Sequence, residues 1–198
     1  MHSPTVNSPS ATPWLKSSQE PVLNIAKTSA RHEITKRAPW MFLGLLAGIV
    51  MVLLGQKFEI ALSQKLEVVF FIPMIVYMSD SIGTETMALF IRELALRRVS
   101  LKKLFWRETY VGLFLGVISG VPMGLFSLVW LKDLRLSLTV TIAMIINGLV
   151  AVLTGMLTPI LFAKFKKDPA LGTDEITTAF SDTASLLIYL IVATMILF

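Results

Sequence analysis

The chain has 198 residues, of which 55% are hydrophobic and 16% charged, and its mean hydropathy is +0.73. Soluble domains are about 45–50% apolar and about 25% charged, so this composition indicates a polytopic membrane protein. The net charge of +5 does not point to nucleic acid, because the basic residues stand in short clusters beside apolar segments, where they set membrane orientation. Cysteine is absent from the sequence, which excludes a disulfide framework, a thiolate metal site and a cysteine nucleophile.

The N-terminal segment, residues 1–36, is more polar than the rest of the chain. Residues 1–30 are rich in Ser, Thr, Pro and Asn and hold no apolar run long enough to span a bilayer. This composition predicts a largely disordered tail. Residues 25–36 also have the charge pattern of a short amphipathic helix that could lie at the membrane surface, with its basic side chains toward the phosphates.

Five apolar segments follow the tail, and each is long enough to cross a bilayer, which takes about 20 residues of helix. They predict an all-α transmembrane domain over residues 37–198, in a multi-pass protein of the cell (inner) membrane. The predicted spans cover residues 38–60, 68–96, 109–131, 136–165 and 176–198.

The third predicted span carries glycines at intervals of four residues: Gly112, Gly116, Gly120 and Gly124. This spacing puts them near one helical face. Small residues on one face let a neighbouring helix approach closely. We interpret the row as a helix-packing surface.

Basic residues near the span ends predict the orientation. Counted near the span ends, thirteen Lys and Arg residues lie before the first span, between the second and third, and between the fourth and fifth, whereas four lie in the alternate connections and none after the last span. The positive-inside rule therefore predicts a cytoplasmic N-terminus and, with five spans, a C-terminus outside.

The second span begins and ends as an apolar membrane segment, yet its middle is polar and acidic. Its polar stretch consists of Ser79, Asp80, Ser81, Gly83, Thr84, Glu85 and Thr86. Carboxylates at membrane depth are costly and face partners, a cavity or an ion path. We interpret this stretch as the lining of a route for a cation.

The fifth span carries a polar stripe around Asp182. Four residues share one helical face at this spacing: Thr178, Ser181, Asp182 and Ser185. An isolated charge at this depth is costly, and a cation beside it removes that cost. The alternative interpretation is a carboxylate that caps or hydrogen-bonds to a broken neighbouring helix. The fourth span is also more polar than lipid favours, with Asn147 near its middle.

The available ligand atoms limit the choice of ion. Both histidines, His2 and His32, lie in the N-terminal tail, so the spans offer oxygen ligands and, where glycine and proline break a helix, freed backbone carbonyls. Such a set suits Mg²⁺, Ca²⁺ or Mn²⁺. One chain supplies few ligands, and a two-fold dimer would double them. The candidate metal contacts are Asp182, Asp80, Glu85, Ser81, Gly83, Thr178, Ser181 and Asn147.

Three runs of the sequence resemble the transmembrane domain of the MgtE family of magnesium transporters and channels, which is related to the animal solute carrier family 41. They are WMFLGLLAGIVMVLLGQKFE, FIPMIVYMSDSIGTETMALFIRELAL and PILFAKFKKDPALGTDEITTAFSDTASLLIYLIVA, within residues 37–198. The resemblance implies a five-helix homodimer whose central cation pore is lined by the second and fifth spans. It also places Asp182 on the family's pore aspartate, which would hold a hydrated Mg²⁺.

The second span departs from the family pattern. The family motif is Gly-Gly-Asn-x-Gly-x-Gln, whereas this chain reads Ser-Asp-Ser-Ile-Gly-Thr-Glu over residues 79–85, so only Gly83 is kept. The replacements are polar and more acidic. They preserve the expectation of an ion path and leave its selectivity open.

A second departure concerns the segment before the membrane domain. Typical members of the family carry a soluble helical domain and paired CBS domains there, which close the pore when magnesium is plentiful. This chain has about 36 polar residues in that place. We therefore expect either no built-in magnesium gating or gating by a separate regulatory subunit.

Three functional hypotheses follow from the sequence. The first is a divalent-cation channel or transporter with Mg²⁺ as the bound and transported ion and no organic cofactor. The second is a proton-coupled or efflux carrier for another substrate, in which the same acids relay protons. The third is a non-transporting membrane subunit of a larger complex. The sequence contains no nucleophile elbow, phosphate-binding loop or histidine-zinc pattern, so it does not predict an enzyme.

Overall fold

The computed structural model describes residues 29–96, 101–165 and 173–198. Within these ranges the chain forms α-helices and no strand: α1 (Ala30–Lys57), α2 (Glu59–Gln64), α3 (Glu67–Leu96), α4 (Leu101–Leu131), α5 (Leu134–Lys164) and α6 (Thr173–Leu197). All except the short α2 are long and apolar enough to cross a membrane. The predicted all-helical class with five spans is therefore confirmed, and the protein is a multi-pass membrane protein.

Several helix ends differ from the predicted bounds. Residues 30–36 continue the first span as part of α1, so this part of the predicted surface helix is not a separate element, while residues 1–28 lie outside the described ranges. The fourth helix, α4, begins at Leu101, eight residues before the predicted span, because its basic first turns are helical too. The connection before α3 contains the helix α2, which hydropathy alone did not indicate.

The expectation of broken helices is wrong for the described spans. The helix α3 runs without interruption through Pro73 and Gly83, and α5 runs through Pro159. Proline in a helix removes one N–H and leaves one carbonyl a turn earlier without its usual partner. Freed carbonyls are thus limited to single positions and do not form a ligand set around Gly83.

The helix α5 is the centre of the bundle, since it packs against α3, α4 and α6, whereas α4 packs almost entirely on α5. The glycine row of α4 makes this contact close. A Cβ built on Gly116 would lie 2.9 Å from the backbone oxygen of Ile145, and one on Gly120 would lie 2.9 Å from that of Thr141. The helix-packing interpretation of the row is confirmed.

Two apolar clusters fill the bundle at different depths. One includes Phe71, Val140 and Tyr189, and the other includes Ile82, Phe90 and Val152. Between the two clusters the interior is polar, with buried residues from α3, α5 and α6: Ser79, Asn147, Ser181 and Ser185. The candidate site lies in this polar layer.

The helix α1 has a different environment. It packs mainly on α6, and no residue of its most apolar stretch is buried. Apolar side chains such as Val52 and Phe42 are therefore exposed in the single chain. A membrane supplies the surroundings that these side chains need.

The turn between α4 and α5 is fixed by Asp133. One of its carboxylate oxygens, Oδ1, accepts a hydrogen bond from the backbone N–H of Leu136 at 3.0 Å and so caps α5. The other forms an ion pair with Lys65, which precedes α3. The hydrogen bond from Lys65, helped by the helix N-terminus, lowers the pKa of this carboxyl below its ordinary value. Asp133 thus joins two connections at the same end of the bundle.

Candidate functional site

Asp80 lies at the middle of α3, thirteen residues from one end of the span Glu67–Leu94 and fourteen from the other. At 1.5 Å per residue this is about 20 Å from either end. Its side chain is partly buried, and its Oδ1 accepts a hydrogen bond of 2.8 Å from the hydroxyl of Thr178 on α6. The predicted stretch of α3 is therefore in direct contact with the predicted stripe of α6.

Asp182 lies one helical turn beyond Thr178 on α6, nine residues from the start of the helix. Its Oδ1 is buried and has no hydrogen-bond partner among the described residues. Asp80 is close enough for the two negative charges to repel each other. Two neighbouring carboxylates at membrane depth, one of them with an unsatisfied buried oxygen, are energetically unfavourable unless a positive charge accompanies them.

The acidic groups continue toward the start of α6. Asp174, Thr178 and Asp182 stand at intervals of four residues, so they lie along one side of the helix over a rise of about 12 Å. Asp174 is exposed, and its charge repels that of Asp80. Carboxylates therefore follow one side of α6 from its first turn to its middle.

Ser81 and Glu85 lie on another face of α3. Both side chains are exposed in the single chain, although they stand in the middle third of a membrane span. The hydroxyl of Thr84 donates to the backbone carbonyl of Asp80 at 2.9 Å, so it is satisfied within its own helix. The structure thus places Ser81 and Glu85 on an open polar face and Asp80, Thr178 and Asp182 at the groove between α3 and α6.

The remaining predicted contacts are buried in the helix interfaces. A Cβ built on Gly83 would lie 3.3 Å from the backbone oxygen of Ala151 and 3.5 Å from Oγ of Ser181, so this glycine permits close packing. The Oγ of Ser181 is 3.2 Å from that of Ser79. The Nδ2 of Asn147 donates to the backbone carbonyl of Ser185 at 3.3 Å. These residues therefore lie in the helix interfaces, more deeply buried than Asp80 and Asp182.

Among the buried polar residues, Ser79 belonged to the predicted polar stretch but not to the candidate metal contacts, and Glu108 was not a sequence-based candidate. Ser79 is 2% exposed and contacts both Ser181 and Ser185. Glu108 of α4 is 3% exposed and is bound by the guanidinium of Arg107 at 2.6 Å. A signal for Glu108 does exist in the sequence, because it stands four residues before Gly112 and therefore on the packing face of the glycine row.

A complete protein metal site is not present in the described part of one chain. Within residues 29–96, 101–165 and 173–198 there is no cluster of three or more His, Cys, Asp or Glu side chains placed to hold a metal ion. The acidic pair with Thr178 offers instead a few oxygen ligands at a partly open surface. Such an arrangement can contact an ion that keeps most of its water.

Known proteins resemble this chain over the region just described. The family model MgtE, described as a divalent cation transporter, matches residues 72–192. The magnesium transporter MgtE of Bacillus subtilis is 31% identical over 170 residues, which cover 84% of this chain and 38% of that protein. The proteins of the same name from Enterococcus faecalis and Thermus thermophilus are each 30% identical, over 164 and 165 residues, which cover 81% of this chain and 36% of each relative.

The chain spans less than two fifths of the length of these curated relatives. The matched residues nevertheless include most of α3, all of α4 and α5, and α6 through Asp182 to Val192. The family model thus covers more than half of the chain, and it covers both helices that carry the acidic groups. The chain belongs to the MgtE family.

Proposed function

We propose that this chain forms a transmembrane pathway for divalent cations, with Mg²⁺ as the preferred ion and Asp182 and Asp80 as its main contacts. The observation that carries the proposal is the buried Oδ1 of Asp182, which has no partner in the described part of the chain and lies near a second carboxylate at membrane depth. A bound cation satisfies both groups at once. The names of the relatives, magnesium transporters, agree with this ion and with a transporter that is not an enzyme.

The chemistry of Mg²⁺ fits a site with few protein ligands. This ion loses water reluctantly and is usually held by one or two carboxylates while it keeps several waters. Asp80 and Asp182 supply two carboxylates, and Thr178 orients one of them through its 2.8 Å hydrogen bond. Ser81 and Glu85 extend the polar surface along α3 and could contact the hydration shell.

A homodimer accounts for the open polar face. Ser81 and Glu85 would face lipid in a single chain, which is unfavourable for a carboxylate in the middle of a span. A two-fold axis beside α3 and α6 would place this face against its copy and double the number of carboxylates around one central pore. The dimer and its pore are therefore part of the proposal, with α3 and α6 as the lining helices.

The proposed orientation follows from the basic residues. With the N-terminus in the cytoplasm, the excess of Lys and Arg lies on the cytoplasmic side, and the start of α6 with Asp174 and Glu175 lies there as well. Residues 37–198 then form the transport domain of a multi-pass protein in the cell (inner) membrane. Asp174 would attract cations at the cytoplasmic mouth.

Ion uptake into liposomes tests the proposal directly. Purified protein is reconstituted, and uptake of Mg²⁺ is measured alone and against Ca²⁺, Mn²⁺ and Co²⁺, for the wild type, Asp182→Asn and Asp182→Ala. We expect uptake by the wild type and its loss in both variants, because each removes the charge that compensates the ion. A matched control is Asp133→Asn, which removes a carboxylate that caps α5 and pairs with Lys65 at the end of the bundle where α3 begins, about 20 Å along α3 from Asp80.

Other results would favour other functions. Two neighbouring carboxylates can also exchange protons, so uptake that follows a pH gradient across the liposome would support a proton-coupled carrier. A folded wild-type protein without flux under any ionic or pH gradient would contradict the proposal and favour a non-transporting subunit. Uptake that persists in folded Asp182→Ala would remove Asp182 from the pathway.

A further inference from the structure

The polar layer between the two apolar clusters contains three serine hydroxyls in mutual contact, which we call the serine triad: Ser79, Ser181 and Ser185. The Oγ of Ser185 lies 2.6 Å from that of Ser79 and 2.6 Å from the backbone carbonyl of Ser181, and the Oγ atoms of Ser79 and Ser181 are 3.2 Å apart. All three residues are at most 2% exposed. The triad therefore joins α3 to α6 by hydrogen bonds inside the membrane domain.

A fourth residue ties the triad to the central helix. The Nδ2 of Asn147 on α5 donates to the backbone carbonyl of Ser185 at 3.3 Å, and Asn147 is 2% exposed. A narrow void beside Asn147, also lined by Ser79, Met78 and Gly148, has no room for a water molecule. Three helices thus meet at one dry polar contact, in which each lost hydrogen bond leaves a polar group unsatisfied.

Both main contacts of the candidate pathway, Asp80 and Asp182, directly follow a serine of the triad. The chain has the dipeptide Ser-Asp at 79–80 on α3 and again at 181–182 on α6. Successive side chains on an α-helix point about 100° apart. A serine fixed in the helix interface therefore determines both the depth and the direction of the aspartate after it. Because the two serines are bonded to each other, they also fix the position of one aspartate relative to the other.

We propose that the serine triad, tied to α5 by Asn147, is a positioning device that sets the separation of Asp80 and Asp182 and thereby the cation preference of the pathway. This inference rests on the proposed cation function. The triad does not touch the ion. It acts through the distance between the two carboxylates. That distance decides which ion is bound best and how much of its water shell the ion keeps.

The contacts of Gly83 agree with this role. Gly83 stands four residues after Ser79 on the same side of α3, and a Cβ built there would lie 3.5 Å from Oγ of Ser181. The backbone of α3 therefore approaches the triad closely, with the Ala151 carbonyl on its other side at 3.3 Å. Little space remains for α3 to slide along α6 while the hydroxyls stay bonded.

The test compares cation preference in variants that remove one hydroxyl. Ser79→Ala, Ser185→Ala and the double variant are reconstituted, and the ratio of Mg²⁺ uptake to Mn²⁺ and to Ca²⁺ uptake is measured for each. The control is Ser127→Ala on α4, which removes an equally buried hydroxyl without a hydrogen-bond partner in the described chain. A ratio does not depend on how much protein is folded, so a purely structural role would not change it.

We expect each single variant to change the ratio between roughly twofold and roughly tenfold, which is what one interhelical hydrogen bond in a membrane is worth as an equilibrium constant. The double variant should change it no further than the larger single effect, because both serines share one contact. Ser127→Ala should leave the ratio unchanged. Unchanged ratios in both single variants, or a single variant that does not fold, would overturn the proposal.

A distance measurement separates this proposal from the proposed function. Because the natural sequence has no cysteine, Tyr77→Cys on α3 and Phe180→Cys on α6, both at exposed positions, can carry a pair of spin labels. Ser185→Ala should shift or broaden the distance distribution between the labels, and Ser127→Ala should not. A wild type without flux would refute the cation pathway, yet the label distances would still decide whether the triad positions α3 against α6.

Discussion

The contact between α4 and α5 leads to a sharp prediction at Gly148. A Cβ built on Gly148 would lie 2.6 Å from the backbone oxygen of Gly112 and 2.8 Å from Cα of Gly116. The first distance is about 0.8 Å short of the 3.4 Å at which ordinary contacts of a Cβ begin. Both neighbours are backbone atoms, so Gly148→Ala forces α4 away from α5.

The magnitude follows from two opposing terms. Overpacking of this kind costs about 1–3 kcal/mol, while replacing glycine by alanine inside a helix gains about 1 kcal/mol. The matched control is Gly48→Ala on α1, where the added Cβ would meet nothing within 4 Å. Both variants share the helix-propensity gain, so their difference in unfolding free energy isolates the packing cost of about 1–3 kcal/mol.

Unfolding by SDS in mixed micelles, followed through the four tryptophans, measures both variants under the same conditions. Gly148→Ala should unfold at a lower SDS fraction than the wild type, and Gly48→Ala at an equal or higher one. If the two variants agree within about 0.5 kcal/mol, α4 does not pack against α5 as the structure has it.

Three further predictions follow from the charged groups. Asp133→Ala should lower the unfolding free energy by about 1 kcal/mol through loss of the helix cap. In the wild type, Lys65 lowers the pKa of this carboxyl below its ordinary 3.8. The stabilisation should therefore be complete above about pH 4 and be lost as the pH falls through the lowered pKa, which unfolding measured at several pH values checks. Glu85→Cys should form disulfide-linked dimers in membranes, whereas Val129→Cys on α4, 78% exposed, should not; equal cross-linking would contradict the dimer face. Chelation of divalent cations should reduce the dimer fraction seen by native mass spectrometry, and Asp182→Asn should weaken that dependence; a dimer indifferent to chelation would oppose a cation between the copies.

The sequence predicted the elements well and their ends poorly. Hydropathy locates a span because some 20 apolar residues must cross the bilayer, and all five predicted spans are helices. It does not locate where a helix ends outside the apolar region. Lys103 and Arg107 were assigned to a basic connection for that reason, although both belong to the continuous helix α4.

The candidate site could be predicted only in part. Helical periodicity gave the stripe of α6 that contains Thr178 and Asp182, because spacing along one helix is a local property. The same rule separates positions 79 and 83 of α3 from 81 and 85, so the division into a buried and an open face was present in the sequence. The hydrogen bond between Thr178 and Asp80 joins residues 98 positions apart, and its existence depends on how α3 and α6 pack on α5.

The polar layer also explains how an apolar bundle can carry acids at its middle. Behind the acids, the three serine hydroxyls are bonded to one another and the Nδ2 of Asn147 donates to Ser185, while the Oδ1 of Asn147 is buried without a partner in the described chain. The acids themselves stand at the edge of the layer, where Asp182 keeps one buried oxygen without a partner in the described chain. The unpaired oxygen of Asn147 belongs to a neutral amide, whereas that of Asp182 belongs to a carboxylate, whose burial is more costly. The larger electrostatic cost therefore lies at the edge of the layer, on the face that a cation and a second copy of the chain can share. The helices are thus held by one set of polar contacts while another set remains available for the ion.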